Sequence, residues 1–508
     1  MLLAGFCVIL YAAWQLSAEI ATGSFKALLV LAASFVAFFI LARIARDWRS
    51  GVYFFLVWLL FEDLLRKYMG NNMAVYFVKD ALVAVTYLSI LSDRTRNSAL
   101  LFRPPFVYSL GMFLILAVTQ VFNPHSPSIF YGILGLKLYF YYVPLMFVGY
   151  AILRTVEDLR KFLTVTMFVA AIISVVGIIQ SLVGIDFLNP RGSGEDIEVL
   201  GHLVRQTSQG LEVLRPPSVF VSDGRFSEYL VVVFILGLCA AGFLLLRAGR
   251  GRKIIFPALG LVALASTLAG GRGAFAYVLA SAVLLPLGFI WGAPQRVGAA
   301  YRLVKAIRRG FAFMAVAIAL GVLILPGVVS AHYDFYRESL MPNSEYSQTT
   351  ERAWDYPAQE MEKAFDDPNW VIGHGVGTGS LGVQYVSRIL QVPSADVGVE
   401  NGFGIILLEL GILGPILWLI WSGSLFFSAC RTVLKLKGTW AFPLALGITW
   451  FTFVLLFAMT WGSMVHYQNF VVNAYFWLMV GILFRLPGLV KEDEAAVAAV
   501  GEGMVIAQ

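Results

Sequence analysis

Charge is what this sequence has least of. Of its 508 residues only 13% are Asp, Glu, Lys or Arg, whereas 59% are apolar. A soluble domain carries about 25% charged residues, so roughly half the usual charge is missing. That shortage excludes a disordered chain and a nucleic-acid-binding domain, so no nucleic acid is expected as a partner. Cysteine is scarce too. Cys7, Cys239 and Cys430 lie far apart in or beside apolar runs, with no metal-ligand spacing and no disulfide framework. No GxxxxGK[ST] loop occurs, and there is no repeat of fixed period or low-complexity block. No metal and no cofactor are expected.

What is abundant is apolar sequence in long runs. At about 20 residues per span there is room for a dozen or more membrane helices. Runs bounded by charge or by Pro/Gly clusters predict about fourteen: 2–18, 26–42, 51–65, 74–92, 105–121, 129–152, 162–184, 227–246, 254–270, 273–292, 311–330, 401–422, 440–460 and 467–486. The expected fold is an all-α, polytopic integral membrane helix bundle. The first run, Met1 to Leu16, lacks a basic flank and a small-residue cleavage site, and reads as a retained helix.

Sidedness follows from the basic residues, which gather in alternate loops. Arg43, Arg46 and Arg49 lie in one, Arg247, Arg250, Arg252 and Lys253 in another, and Arg431, Lys435 and Lys437 in a third. The opposite loops are short except for 185–226 and 331–400, and the second of these holds eleven acids against four Lys or Arg. The positive-inside rule places both termini in the cytoplasm and both long loops outside. The expected order is helices 1–7 over 1–184, a first outer loop over 185–226, and helices 8–11 over 227–330. A large outer loop over 331–400, helices 12–14 over 401–490 and a loose cytoplasmic tail over 491–508 complete it.

The side chains suited to chemistry cluster in the outer loops. Loop 185–226 carries Arg191, Arg205, Arg215 and Arg225 and no lysine. Arginine's planar fork binds phosphate bidentately, which suits a diphosphate; the alternative is that these arginines pair with Asp186, Glu195, Asp196, Glu198, Glu212 and Asp223 of the same loop. Arg272, in STLAGGRGAF, sits in a glycine hinge between two apolar runs. It either faces a cavity or snorkels to headgroups. Glu62, Asp63, Arg66 and Lys67 in FEDLLRKY, with Lys79 and Asp80, read as neighbouring charges that neutralise one another, and some could line a polar cavity with the arginines. His374, in WVIGHGVGTGS, is open to a substrate or bonded within a turn. Glu400 and Asn401 stand directly before an apolar helix, as an N-cap or as a general base with its neighbour.

Taken in order, RPPSVF…GRF, STLAGGRGAF, ERAWDYPAQEM, GHGVGTGS and ENGFGIILLELGILG resemble the O-antigen ligase and polymerase superfamily of bacterial envelopes. FEDLLRKY is similar to an early helix of many polysaccharide-polymerase-like proteins. The resemblance implies a GT-C-like, metal-independent glycosyltransferase of the inner membrane. Such an enzyme takes a glycan from undecaprenyl diphosphate on the periplasmic face and joins it to another glycan or to lipid A core. It implies as partners the lipid-linked donor, a glycan or lipid acceptor, the bilayer and other polysaccharide-assembly proteins. Carried over by position, the diphosphate-binding arginines are Arg215 and Arg272, with Arg352 as a further match. Arg225, His374 and Asn401 are secondary candidates. Many ligases have a histidine followed by asparagine before the late helix, where this chain has Glu400-Asn401. That departure favours a polymerase or exopolysaccharide variant, with Glu400 as the base. Two other classes compete: a lipid-linked oligosaccharide flippase or exporter, and a scaffold subunit of a polysaccharide machine. A transporter usually shows two similar halves with charges at matching depths, which this chain lacks.

Overall fold

The computed structural model describes residues 38–70, 73–94, 102–190, 203–207, 210–247, 250–294, 326–340, 351–392 and 398–506, with scattered positions between 298 and 323. The expected span 2–18, most of 26–42 and much of 311–330 lie outside the described residues, as does the proposed retained helix at the start. The described chain is helical apart from one antiparallel hairpin, β1 (Val204–Gln206) with β2 (Glu212–Leu214), in the register Val204↔Leu214.

Eight described helices or helix pairs are long and apolar enough to cross a membrane: Val75–Ser92, Ile129–Ile152, Val156–Val183, Asp223–Leu246, Arg272–Trp291, Leu413–Lys435, Phe442–Gly462 and Phe470–Ala496. The chain is an all-α polytopic membrane protein. A further apolar helix, α3 (Val107–Gln120), is shorter; α4 (Ile129–Phe140) opens the pair Ile129–Ile152, and α12 (Val383–Leu390) lies in the large loop.

Two compact units divide the chain, 1–62 with 72–99, and 63–71 with 100–508. The first holds most of α1 (Trp48–Tyr68) and α2 (Met73–Arg94). Its buried charges satisfy each other across helices: Lys79 Nζ reaches Glu62 Oε1 at 2.7 Å and donates to the Tyr76 carbonyl at 2.7 Å. A lone charge at that depth would be costly, and the pair removes the cost.

The second unit is built around α7 (Asp223–Leu246), nearly all of whose residues are buried. Its N-cap is Ser222, whose Oγ accepts the Arg225 N–H, and Asp223 occupies the first turn where the helix dipole favours an anion. Around it pack α6 (Val156–Val183), α8 (Arg252–Leu268), α9 (Arg272–Trp291) and α15 (Phe442–Phe453). Away from α7, α5 (Leu145–Ile152) lies against α16 (Phe470–Ile506), backbone close to backbone. A Cβ on Gly149 would fall 2.1 Å from the Leu478 carbonyl oxygen, and one on Gly481 2.0 Å from that of Met146. Small residues permit this approach between membrane helices.

Two boundaries differ from the sequence reading. The expected span 401–422 is two elements, α13 (Gly402–Leu410) and α14 (Leu413–Lys435), parted at Gly411 with φ of +71°. At 1.5 Å per residue the nine residues of α13 cover about 13 Å, too little to cross a bilayer. Hydropathy alone joins them because both are apolar. The second difference is the tail, which continues α16 as helix to Ile506 and is not loose. Its first residues are anchored, since Asp493 pairs with Arg247 and accepts from Trp440, while Glu492 pairs with Arg485 along the same helix at 2.7 Å.

Candidate functional site

The first turn of α7 gathers the chemistry. Arg215 arrives on the strand leaving the hairpin, its N–H donating to the Leu203 carbonyl at 2.7 Å, and its Nη2 meets Asp223 Oδ2 at 2.5 Å. Three residues into α7, Arg225 Nη1 bonds Asp63 Oδ2 at 2.8 Å and stacks over the Phe470 ring, 4.6 Å from its centroid. Asp63 also accepts the Val221 N–H at 3.2 Å and faces Arg66 at 3.7 Å. The cluster thus joins α1, the first long loop, α7 and the start of α16.

Glycine brings Arg272 to the same place. Gly270 has φ of +62°, a conformation that costs a side chain, and a Cβ there would lie 2.9 Å from Arg215 Cγ. The next glycine, Gly271, approaches Ser227 of α7 so closely that a Cβ would stand 2.8 Å from its Oγ. Arg272 then opens α9, its guanidinium 5.7 Å from the centroid of Phe335. Phe335 lies on α10 (Pro326–Leu340), which roofs the turn. Its Tyr336 hydroxyl donates to the Thr267 carbonyl and its His332 ring meets the Leu268 carbonyl at 3.2 Å. Phe335 and Ala331 also bury Val213 of the hairpin. The two long loops therefore meet over Arg215 and Arg272. Burial lowers the pKa of Arg215, with Asp223 opposing and Arg205 adding to the shift, and burial raises that of Tyr336.

One turn further along α7, Glu228 is 8% exposed, and its two oxygens take His466 Nδ1 at 2.7 Å and the Asn469 amide. Both partners come from the non-spanning segment between Gly462 and Phe470. Burial by itself would lower the His466 pKa, but the charge and hydrogen bond of Glu228 outweigh it and the pKa is raised.

The same segment touches the Glu400 region. Asn401 is fully buried and caps α13: its Oδ1 accepts the Gly404 N–H at 2.9 Å, and its amide donates to the carbonyls of Pro357 (3.0 Å) and Trp461 (2.8 Å). Glu400, beside it, is exposed, and its N–H donates to Glu360 Oε2 at 2.9 Å. Glu360 lies in α11 (Tyr356–Asp366) and is 1% exposed. The backbone of Arg352 lies in the π-helical turn Glu351–Asp355 that leads into α11, while its side chain is outside the described residues.

His374 is at the other end of α13. Its N–H donates to the Leu408 carbonyl and its Nε2 lies 2.9 Å from Asp367, a bond inside the loop. The helix between separates it from Glu400 by about 13 Å. The glycines around His374 serve packing. Positive φ at Gly373, Gly375 and Gly377 lets the turn dock, and a Cβ on Gly377 would fall 1.9 Å from the Tyr131 carbonyl oxygen. Behind the turn, Glu409 is sealed from solvent and accepts from Tyr139 (2.9 Å), Ser380 (2.7 Å) and the Gly379 N–H (3.0 Å).

The structure sets Arg215 against the glycine turn of Arg272 and places Arg225 in the first turn of α7, while Glu400 and Asn401 stand at the start of α13 and His374 at that helix's other end. Sequence reasoning passed over Glu228, His466 and Asn469. A carboxylate in the otherwise apolar run 227–246 and a histidine in WGSMVHYQN between two spans were the available signals.

No family model matches the chain. An O-antigen polymerase of Salmonella muenchen is 23% identical to it over 376 residues, which are 71% of this chain and 82% of the relative. The chain is thus similar to an O-antigen polymerase along most of its length, in agreement with the superfamily resemblance of its motifs.

Proposed function

We propose that this protein is a membrane glycosyltransferase that lengthens O-antigen or related envelope glycans carried on undecaprenyl diphosphate. It acts at the periplasmic face of the inner membrane, with both termini cytoplasmic. The observation that carries the reading is the concentration of Arg215, Arg225 and Arg272 at the N-terminal turns of two membrane helices. The positive end of a helix dipole disfavours cations and favours anions. Asp223 already orients Arg215 and Asp63 orients Arg225, and a diphosphate laid across the turns would meet guanidinium forks held in place for it. The polymerase relative supplies the reaction type, and Glu400-Asn401 in place of a ligase-like His-Asn favours a polymerase over a ligase.

In this reading Arg215 and Arg272 hold the donor diphosphate, Arg225 supports them from α7, and Arg352 of the large loop is a further diphosphate ligand by its motif position alone. Glu400 takes the proton of the acceptor hydroxyl as that oxygen attacks the anomeric carbon. The bond from that carbon to the phosphate breaks, and the electron pair leaves with the diphosphate. The leaving group supplies the driving force, as no nucleotide triphosphate is present outside the membrane. Asn401 fixes the first turn of α13 so that the Glu400 side chain stays at the surface. The test is radiolabelled lipid-linked glycan presented to the outer face of vesicles holding the protein. Longer glycans are expected; a donor that only changes leaflet would mark a transporter and overturn the reading.

A further inference from the structure

Glu228 and His466 have no task in that scheme, yet they are held with care. Residues three apart on a helix share a face, so Glu228 lies under Arg225. Asn469 is 1% exposed, and its Oδ1 accepts the Val471 N–H at 3.0 Å, which fixes its amide group toward Glu228. The next residue, Phe470, is the ring beneath the Arg225 guanidinium. Among the described residues His466 is anchored through Nδ1 alone, and its side chain keeps 31% of its surface exposed. A carboxylate on Nδ1 fixes the ring's orientation and turns Nε2 to the opposite edge, the arrangement by which a protein aims an imidazole at a reactant.

We propose that His466 is a further catalytic residue of the glycosyl transfer, its Nε2–H donating to the diphosphate as it leaves, with Glu228 and Asn469 as positioning residues. The inference rests on the reading of the site as a lipid-diphosphate glycosyltransferase. The acceptor oxygen bonds to the anomeric carbon, the carbon–phosphate-oxygen bond breaks, and its electron pair stays on the diphosphate. The hydroxyl proton passes to Glu400. His466 keeps its proton and shares it with a phosphate oxygen in a charge-assisted hydrogen bond. The ion pair with Glu228 holds the ring charged at higher pH than an ordinary imidazole. The charged group bonded to it is Glu228; one turn back on α7, Arg225 is itself paired with Asp63, and Arg215 with Asp223.

A role that needs the charged ring is present below its pKa and fades as pH rises through it. The full-length protein in proteoliposomes, supplied with lipid-linked repeat units, should therefore show an alkaline limb in kcat. His466→Ala should lower kcat tenfold to a hundredfold with a smaller change in donor KM. His466→Gln keeps a donor that does not titrate, so activity should be partly retained and the alkaline limb lost. Glu228→Gln keeps hydrogen bonding but removes the charge that raises the ring's pKa, so the limb should move to lower pH. Should the alanine variant fail to fold, the two glutamine variants decide. Longer glycans from the wild type with an unmoved limb in both glutamine variants would overturn the role of His466 and leave the parent reading intact. No longer glycans from the wild type would overturn both.

Discussion

At the scale of single residues, the arginines matter for their shape as much as for their charge. Arg215 is aimed by Asp223 and wedged against Gly270, and Arg272 is held over Phe335. Lysine keeps the charge but lacks the fork that grips a phosphate with two parallel bonds. Arg215→Lys and Arg272→Lys should each lower polymerisation tenfold to a hundredfold, the effect of losing about 1.5–3 kcal/mol of charge-assisted contact. Full activity in both, at normal membrane levels, would make these arginines structural. Glu400→Gln tests the base separately from the cap, because the α13 cap is the buried Asn401 and the Glu400 carboxylate is exposed. The variant should insert and fold normally yet form product at least about a hundredfold more slowly. A Gln variant with normal turnover would remove Glu400 from the mechanism. The sequence marked these residues because each stands in a distinctive local context. It left Asp63 with its neighbours in FEDLLRKY, whereas its partner Arg225 lies 162 positions away, a pairing no local pattern encodes.

Elements show where pattern reading holds and where it stops. Seven of the eight described helices long enough to span coincide with predicted apolar runs, since burial in lipid demands about 20 apolar residues whatever the neighbours are. The predicted fourteen spans are not reached among the described residues. The join at Gly411 was hidden. A hydropathy window registers α13 and α14 as one run, and it cannot see that the buried Glu409 carboxyl finds donors in Tyr139, Ser380 and Gly379. The glycine turn beside them resembles a phosphate cradle in sequence and is a packing device in the structure. Two substitutions separate these meanings. Gly377→Ala places a methyl group against the Tyr131 carbonyl at a φ of +88°, and should cost about 3 kcal/mol or more. Gly379→Ala meets nothing nearer than Ile405 at 3.4 Å and leaves the bond to Glu409 in place, so it should be tolerated. Thermal melts in detergent compare them. Equal stability of the two variants would contradict the docking role of the turn.

For the molecule as a whole, the second unit ties distant stretches of sequence to one corner: α1 through Asp63, the hairpin loop through Arg215, α9 through Arg272, and the non-spanning segment through His466. Such convergence at one end of α7 is what an enzyme working on a lipid-borne substrate requires. The reacting bond sits at the membrane surface while the lipid tail stays in the bilayer. A transporter would instead need its polar groups along a path between the faces. If glycan bonds form at the expense of a lipid diphosphate, both products must appear together and can be counted in one experiment. Purified protein in sealed proteoliposomes is given lipid-linked repeat units, and released undecaprenyl diphosphate and new glycosidic linkages are quantified together by mass spectrometry. One diphosphate should be released for every linkage formed. Linkages without diphosphate release, or lipid-linked units recovered at their original length on the opposite leaflet, would contradict it.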